Sequence, residues 1–330
     1  MRKNKLFGII LASVLAVSLI GCSNESIPVS SESKKTNFPE KQIELIVPFA
    51  AGGGTDAVGR AYADALKNHL PEPMGVVNKT GGGGAIGMSE GVNAKPDGYK
   101  VTMVTVELAI LPNLGLAAFK SDDLKPVAQL NADPAAVTVR ADSPWNTLEE
   151  FIEYAKANPE KVRIGNAGSG SIWHLAAAAL GDLTGAKFSH IPFEGGAPAV
   201  TALLGSHIEA VTVSPAEVSA QVNAGTLRIL GVMADERLET IKDVPTLKEE
   251  NIDLSIGTWR GIAVPKDTPE EVVDILKEAS RKAAEEKSFT DVLGKMNLGL
   301  KYQDAAEFSK LITNDSKRFE ELITKLELKQ

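Results

Sequence analysis

The chain has 330 residues, a formal net charge of -8, 5% aromatic residues and a single cysteine. An acidic chain lacks the basic face that nucleic acid requires, and so few aromatic rings argue against a receptor that stacks sugars on Trp and Tyr. One cysteine excludes an internal disulfide.

In chain order, a processing segment comes first. Arg2, Lys3 and Lys5 form a positive start, and Leu6 to Ile20 is an apolar run too short for a membrane span. It ends in Leu19-Ile20-Gly21-Cys22, the pattern of a bacterial lipobox, so residues 1–21 are expected to be removed as a signal peptide and Cys22 to be lipidated. Losing three positive residues leaves the remainder near -11 (-8 minus 3). Residues 22–38 are rich in Ser, Lys and Glu and bury too little to fold, so they read as a tether. The globular part begins near Phe38 and is long enough for two lobes.

Short β-rich runs then alternate with amphipathic stretches, which predicts an α/β fold. Ile43 to Phe49 reads as a buried strand, followed by Val58, Ala61, Tyr62, Ala65 and Leu66 at helical spacing. Val76-Val77, Lys100 to Val106, Val127 to Leu130 and Ala136 to Val139 read as further strands, with a less regular region from Leu108 to Phe119. Thr147 is an expected N-cap, with Glu149 and Glu150 in the first turn. Strands follow at Val162 to Gly165, Lys187 to Ile191, Ala210 to Val213, Arg228 to Val232 and Trp259 to Val264, and two helices close the chain.

The chemistry is concentrated in four Gly-rich turns, each between a strand and a helix. Val47 to Ala57 carries Gly52, Gly53 and Gly54, with Thr55 or Asp56 as the expected cap. Such a turn aims free backbone N–H groups and the positive helix end at one point, which suits an anion. Asn78 to Gly87 carries four consecutive glycines. Gly165 to His174 carries Ser169 and Ser171, and Ile191 to Ala199 carries Gly195 and Gly196. Turns after neighbouring parallel strands would meet at the carboxyl edge of a sheet, where α/β folds place ligands. The first turn has no Lys for a phosphate loop, and no acidic residue ends the next strand for a dinucleotide site. Ser169 and Ser171 lack the flanking glycines of a nucleophile elbow, and His174 reads as a packing residue. No His is paired with a second ligand His at i+4, so no metal and no other cofactor is expected.

These turns, in this order, resemble the extracytoplasmic receptors of tripartite tricarboxylate transporters, the Bug family. The resemblance rests on Ile46 to Asp56, Val77 to Gly87, Pro96 to Tyr99, Gly168 to Ala176, Pro192 to Val200, Asp243 to Glu249 and Trp259 to Pro265, and runs from Ile43 to about Pro269. It implies a two-lobed type II periplasmic-binding-protein fold with the ligand between the lobes. Residues 39–138 and 260–330 would form lobe 1, and residues 139–259 lobe 2. It further implies a non-enzymatic, monomeric receptor on the extracytoplasmic face of the cell membrane, anchored through Cys22, that passes a small carboxylate to transporter membrane subunits. A sensing lipoprotein that presents the same ligand to a membrane sensor kinase would use the same cleft.

Family contacts would be made by backbone amides and hydroxyls more than by Arg or Lys. Transferred to this sequence they fall on Phe49, Ala51, Gly52, Gly53, Thr55 and Asp56, on Asn78, Gly83 and Gly84, and on Ser169, Ser171, Phe193, Gly195 and Ser214. The chain departs from the family at Ala50-Ala51 and at Glu107, where a small hydroxyl residue is usual. Glu107 would repel a carboxylate or pair with an amine if it faced the cleft; otherwise it would point to solvent or into the interlobe hinge.

Overall fold

The computed structural model describes residues 37–329, so the signal segment, Cys22 and most of the tether lie outside the described residues. Two sheets organise the fold. The first contains β1 (Ile43–Val47), β2 (Met74–Asn78), β3 (Lys100–Thr105), β4 (Leu124–Pro134), β10 (Gly257–Pro265) and β11 (Leu300–Asp304), in the order β11-β4-β10-β3-β1-β2. The second contains β5 (Ala136–Arg140), β6 (Arg163–Asn166), β7 (Ser189–Pro192), β8 (Ala210–Val211) and β9 (Leu227–Val232), in the order β7-β6-β8-β5-β9. In the first sheet, β1 pairs in parallel with both β2 and β3. The turns that leave β1 and β2 therefore emerge side by side, as their spacing predicts.

Helices α1 (Gly54–Ala65), α2 (Ala85–Val92), α3 (Glu107–Leu114), α8 (Glu270–Glu285), α9 (Lys287–Lys295) and α10 (Ala305–Lys325) cover the first sheet. The second carries α4 (Leu148–Ala157), α5 (Ile172–Thr184), α6 (Gly196–Leu204) and α7 (Pro215–Asn223). Local chemistry starts several of them. Thr147 and Glu150 form a reciprocal capping box at α4, and the Asp304 carboxylate accepts the Ala306 and Glu307 amides at 2.9 Å each to start α10.

Three elements differ from the sequence expectation. The irregular region after β3 contains α3, which tolerates Pro112 because six of its eight residues are buried. The C-terminal part holds three helices rather than two. β11, a polar edge strand paired to β4, has too little apolar alternation to be recognised.

The chain crosses between the sheets twice. It leaves the first at Ala135 and returns through residues 233–256. The crossings are bonded together: the Ala135 amide donates to the Ile256 carbonyl at 2.9 Å, and the Met233 amide donates to the Ala135 carbonyl at 2.8 Å. One apolar cluster runs through this junction, from Val104, Leu111 and Phe308 into Val137, Ile164 and Leu203. A second fills the far face of the first sheet around Ile43, Leu45, Tyr62 and Phe289. Full burial of such side chains contributes roughly 1.5–3 kcal/mol each, which fixes the sheets that carry the turns.

Candidate ligand-binding site

The four Gly-rich turns meet in one cleft between the sheets. Phe49, Gly81 to Gly84 and Leu116 from the first lobe face Ala167 to Ser169 and Pro192 to Glu194 from the second, around a cavity of about 290 Å³. The lobes touch at its mouth. A Cβ on Gly83 would stand 2.8 Å from the Ser169 carbonyl oxygen, and Gly83 has φ +63, so both the approach and the backbone conformation require glycine. Nearby, the Ala50 amide donates to the Glu194 carbonyl across the cleft at 3.1 Å.

Deeper in, a small void of about 10 Å³ is lined by Gly53, Gly54, Thr55, Glu107, Ile172, Gly196, Glu217 and Arg260, among others. This is room for one water at most. Its walls are charged. Arg260 is 1% exposed and rises from β10 into the cleft. Its Nη1 donates to Asn131 and Asp133, and its Nε donates to Thr55 Oγ1 at 3.0 Å. Asp133 is held in turn by the Gly299 amide at 2.7 Å. Gly54 allows the guanidinium in, since a Cβ there would stand 2.7 Å from Arg260 Nη2.

Two carboxylates reach across to the opposite lobe. Glu107, at the start of α3, accepts the Ile172 amide at the N-terminus of α5 at 2.8 Å, and its other oxygen accepts the Thr105 hydroxyl. Glu217, in the first turn of α7, accepts the Gly54 amide at the N-terminus of α1 at 3.2 Å. Each carboxylate thus lies at the positive end of a helix from the other sheet. Burial pushes both above the usual carboxylate range. The Ile172 amide and Thr105 hydroxyl offset this in part for Glu107, and Arg260 does so for Glu217.

Of the residues expected to touch ligand, Phe49, Gly83, Gly84, Ser169 and Phe193 line the larger cavity. Gly53, Thr55, Glu107 and again Phe49 line the inner void. Gly52 lies on a separate groove with Glu217 and Lys295. Gly195 packs against Ala50, and Ala51 is exposed. The remaining polar side chains are engaged within the protein. Asp56 accepts from Gly52, Arg60 and Asn78. Asn78 also donates to the Phe49 carbonyl at 2.8 Å. Ser171 and Ser214 are fully buried; Ser171 caps α5 by accepting the His174 amide, and Ser214 donates to Glu217. Neither Thr55 nor Asp56 caps α1, because Gly53 is its N-cap and both lie inside the first turn. Glu107 does not point to solvent; it is buried and bonded across the cleft.

Arg260 and Glu217 were not foreseen as site residues. A signal for Arg260 was present. Gln129, Asn131 and Asp133 alternate with apolar residues on β4, and all three are buried, so one face of an interior strand is polar and calls for a partner.

Comparison with known proteins identifies the family. The Tripartite tricarboxylate transporter family receptor (TctC) pattern matches residues 58–328. A curated relative, the UPF0065 protein in gbd 5'region of Cupriavidus necator, is 32% identical over 304 residues, covering 92% of each chain. Among solved structures, a TctC solute binding protein from Polaromonas is 52% identical with a TM-score of 0.66, covering 87% of this chain and 99% of that one. MatC from Rhodopseudomonas palustris, solved with bound malate, is 25% identical with a TM-score of 0.83, covering 87% of this chain and 100% of that one. The chain belongs to the tripartite tricarboxylate transporter receptor family and has its two-lobed fold.

Proposed function

We propose that this member of the receptor family captures a small organic acid in the cleft and delivers it to the membrane subunits of a tripartite tricarboxylate-type transporter. The observation that carries the reading is the meeting of glycine turns from two separate sheets around one cavity, with a buried guanidinium just behind it. The malate bound to MatC supports the same ligand class. Phe49, Gly83, Gly84, Ser169 and Phe193 form the outer wall of the proposed site, and Arg260 supplies its cation.

The lobes divide as residues 39–138 with 260–330, and residues 139–259. Closing them on a ligand shapes one composite surface for the membrane subunits, so capture and recognition are coupled. The chain works as a monomer on the extracytoplasmic face, held by lipid on Cys22. Among the described residues no helix is long and apolar enough to cross a membrane. Calorimetry with mono-, di- and tricarboxylates tests the reading. Micromolar binding of at least one acid, about 8 kcal/mol, with the acid recovered unchanged, is the expected result. Failure of every acid to bind, or its conversion to product, rejects it.

A further inference from the structure

Helix α1 has no side-chain cap of its own. Its N-cap is Gly53, and the amide of Gly54, the first helical residue, finds its partner in the other lobe, where Glu217 accepts it at 3.2 Å. Gly196 makes this approach possible, since a Cβ there would collide with Glu217 Oε1. Helix α5 shows the reverse arrangement. Ser171 caps it by accepting the His174 amide, and the Ile172 amide goes to Glu107 of the opposite lobe at 2.8 Å.

Both glutamates divide their oxygens in the same way. Glu107 keeps one on Thr105, in its own lobe, and sends the other to Ile172. Glu217 keeps Oε2 on the amide and hydroxyl of Ser214, at 3.4 and 3.3 Å, and sends Oε1 to Gly54. Each side chain is anchored at home and bonded away, and the two reach across in opposite directions. Parting the lobes therefore removes a cap from both helix starts at once. A carboxyl oxygen accepts an amide hydrogen whether the group is ionised or neutral, so the arrangement holds although burial pushes both groups towards the neutral form.

We propose that Glu107 and Glu217 are a pair of latches that set the balance between joined and parted lobes, each by capping a helix of the opposite lobe. The joined arrangement is then held in part by the protein's own side chains, whatever the cleft takes up. A ligand that reaches for either helix start competes with a latch, and it shifts the balance only by the difference between its affinities for the two arrangements. A third side-chain bond between helices of opposite lobes, from Lys325 to Asp182 at 2.9 Å, is an exposed ion pair and adds little. The inference does not depend on the class of ligand; it rests on the reading that the lobes move.

The Ala50 amide is a reporter that neither glutamate bonds. It donates to the Glu194 carbonyl across the cleft at 3.1 Å, so it exchanges with solvent deuterium when the lobes part. Exchange is followed by NMR on the processed chain, purified in detergent and dialysed, in the parent, Glu107→Ala, Glu217→Ala and the double variant. Each single change is expected to raise the Ala50 rate about threefold or more. The double change should raise it by roughly the product, about tenfold or more, because both bonds act on one equilibrium. Amides in the core of β1 keep the parent rate, and Glu107→Gln and Glu217→Gln, which retain a carbonyl acceptor, return Ala50 most of the way to it. Faster exchange at Ile172 and Gly54 with Ala50 unchanged would mean that the glutamates cap helices and do nothing more, which overturns the latch and leaves the lobe motion standing. A rise shared equally by the β1 core is a general loss of stability and also overturns it. If Ala50 exchanges no faster than the β1 core in every chain, the lobes do not part, and the latch and the closing cleft fail together. Should Glu107→Ala fail to fold, the part-buried Glu217 decides alone, by Glu217→Ala against Glu217→Gln.

Discussion

Glu217 and Gly54 belong to opposite lobes, yet the carboxylate of one accepts the amide that opens the other's helix, at 3.2 Å. Glu107 and Ile172 repeat the relation in the reverse direction at 2.8 Å. A hydrogen bond to a charged group contributes roughly 1.5–3 kcal/mol. In Glu217→Ala, amide exchange at Gly54 should therefore speed up about 10- to 100-fold, while amides in the core of β1 keep their rates. Exchange at Gly54 that stays as slow as in the parent would show that this contact does not hold the helix start.

The mouth of the cleft offers a steric test. Gly83→Ala places a Cβ against the Ser169 carbonyl and forces a side chain into positive φ, which costs roughly 1–2 kcal/mol. The variant should fold with a modest loss of stability, show a larger radius of gyration by small-angle scattering, and bind its acid at least ~10-fold more weakly. An unchanged radius together with unchanged affinity would mean that the contact is incidental.

Arg260 and Asp133 form the buried ion pair of the cleft. Arg260→Gln leaves Asp133 without its cation and should cost about 3–5 kcal/mol by urea denaturation, as breaking a buried pair does. Adding Asp133→Asn should recover part of that loss. If the double variant is less stable than the single one, the cost does not come from a stranded charge.

Much of this site could be read from the sequence. The glycine turns announce themselves by composition, because runs such as Gly81 to Gly84 are unfavourable for the chain unless backbone must come close to something. Glu107 also stood out, as a carboxylate where the resembled family usually has a small hydroxyl residue. The long-range partnerships could not be read. Glu217 lies 163 residues from Gly54, and the spacing of α7 says nothing about which lobe its first turn faces. Ser171 and Asp56 were expected to serve a ligand, but each satisfies its own helix or turn. A hydroxyl or carboxylate near a helix start has a local use that sequence cannot distinguish from a remote one. The outer glycine loops were foreseen and the ionic interior was not, because the first depends on local backbone and the second on tertiary register.

His174 gives the fold a pH response. Burial, with the His190 ring beside it, lowers its pKa from 6.5 to about 4, and its Nδ1 accepts the Gly170 amide, which only the neutral ring can do. A histidine with a depressed folded-state pKa contributes stability that is present above 6.5 and lost as pH falls towards 4, up to ~3 kcal/mol. Glu107 and Glu217, with raised values, act in the opposite sense: their contribution is present at low pH and lost as pH rises through their folded-state values. The difference between parent and His174→Asn isolates the histidine. Denaturation curves at pH 7 and pH 5 should show a smaller acid loss in the variant; equal losses would assign the response elsewhere.

Cys22 lies outside the described residues, and its proposed role is tested by fractionation. Cys22→Ser should move the chain from the membrane to the soluble fraction with its thermal unfolding unchanged. Retention on the membrane would rule out a lipid anchor at this position.

The two crossings between the sheets run side by side, joined through Ala135, Met233 and Ile256. Any rotation of one lobe against the other moves each atom in proportion to its distance from that pair of segments. Asp133 and Arg260 sit on β4 and β10 within a few residues of the crossings, so their lever arm is short. Gly83 and Ser169, on the turns that meet at the mouth, have a longer one. Arg260 consequently acts as the anvil of the proposed device: its short lever arm keeps it nearly in place through such a rotation, so on that reading the cation is set before the jaws move.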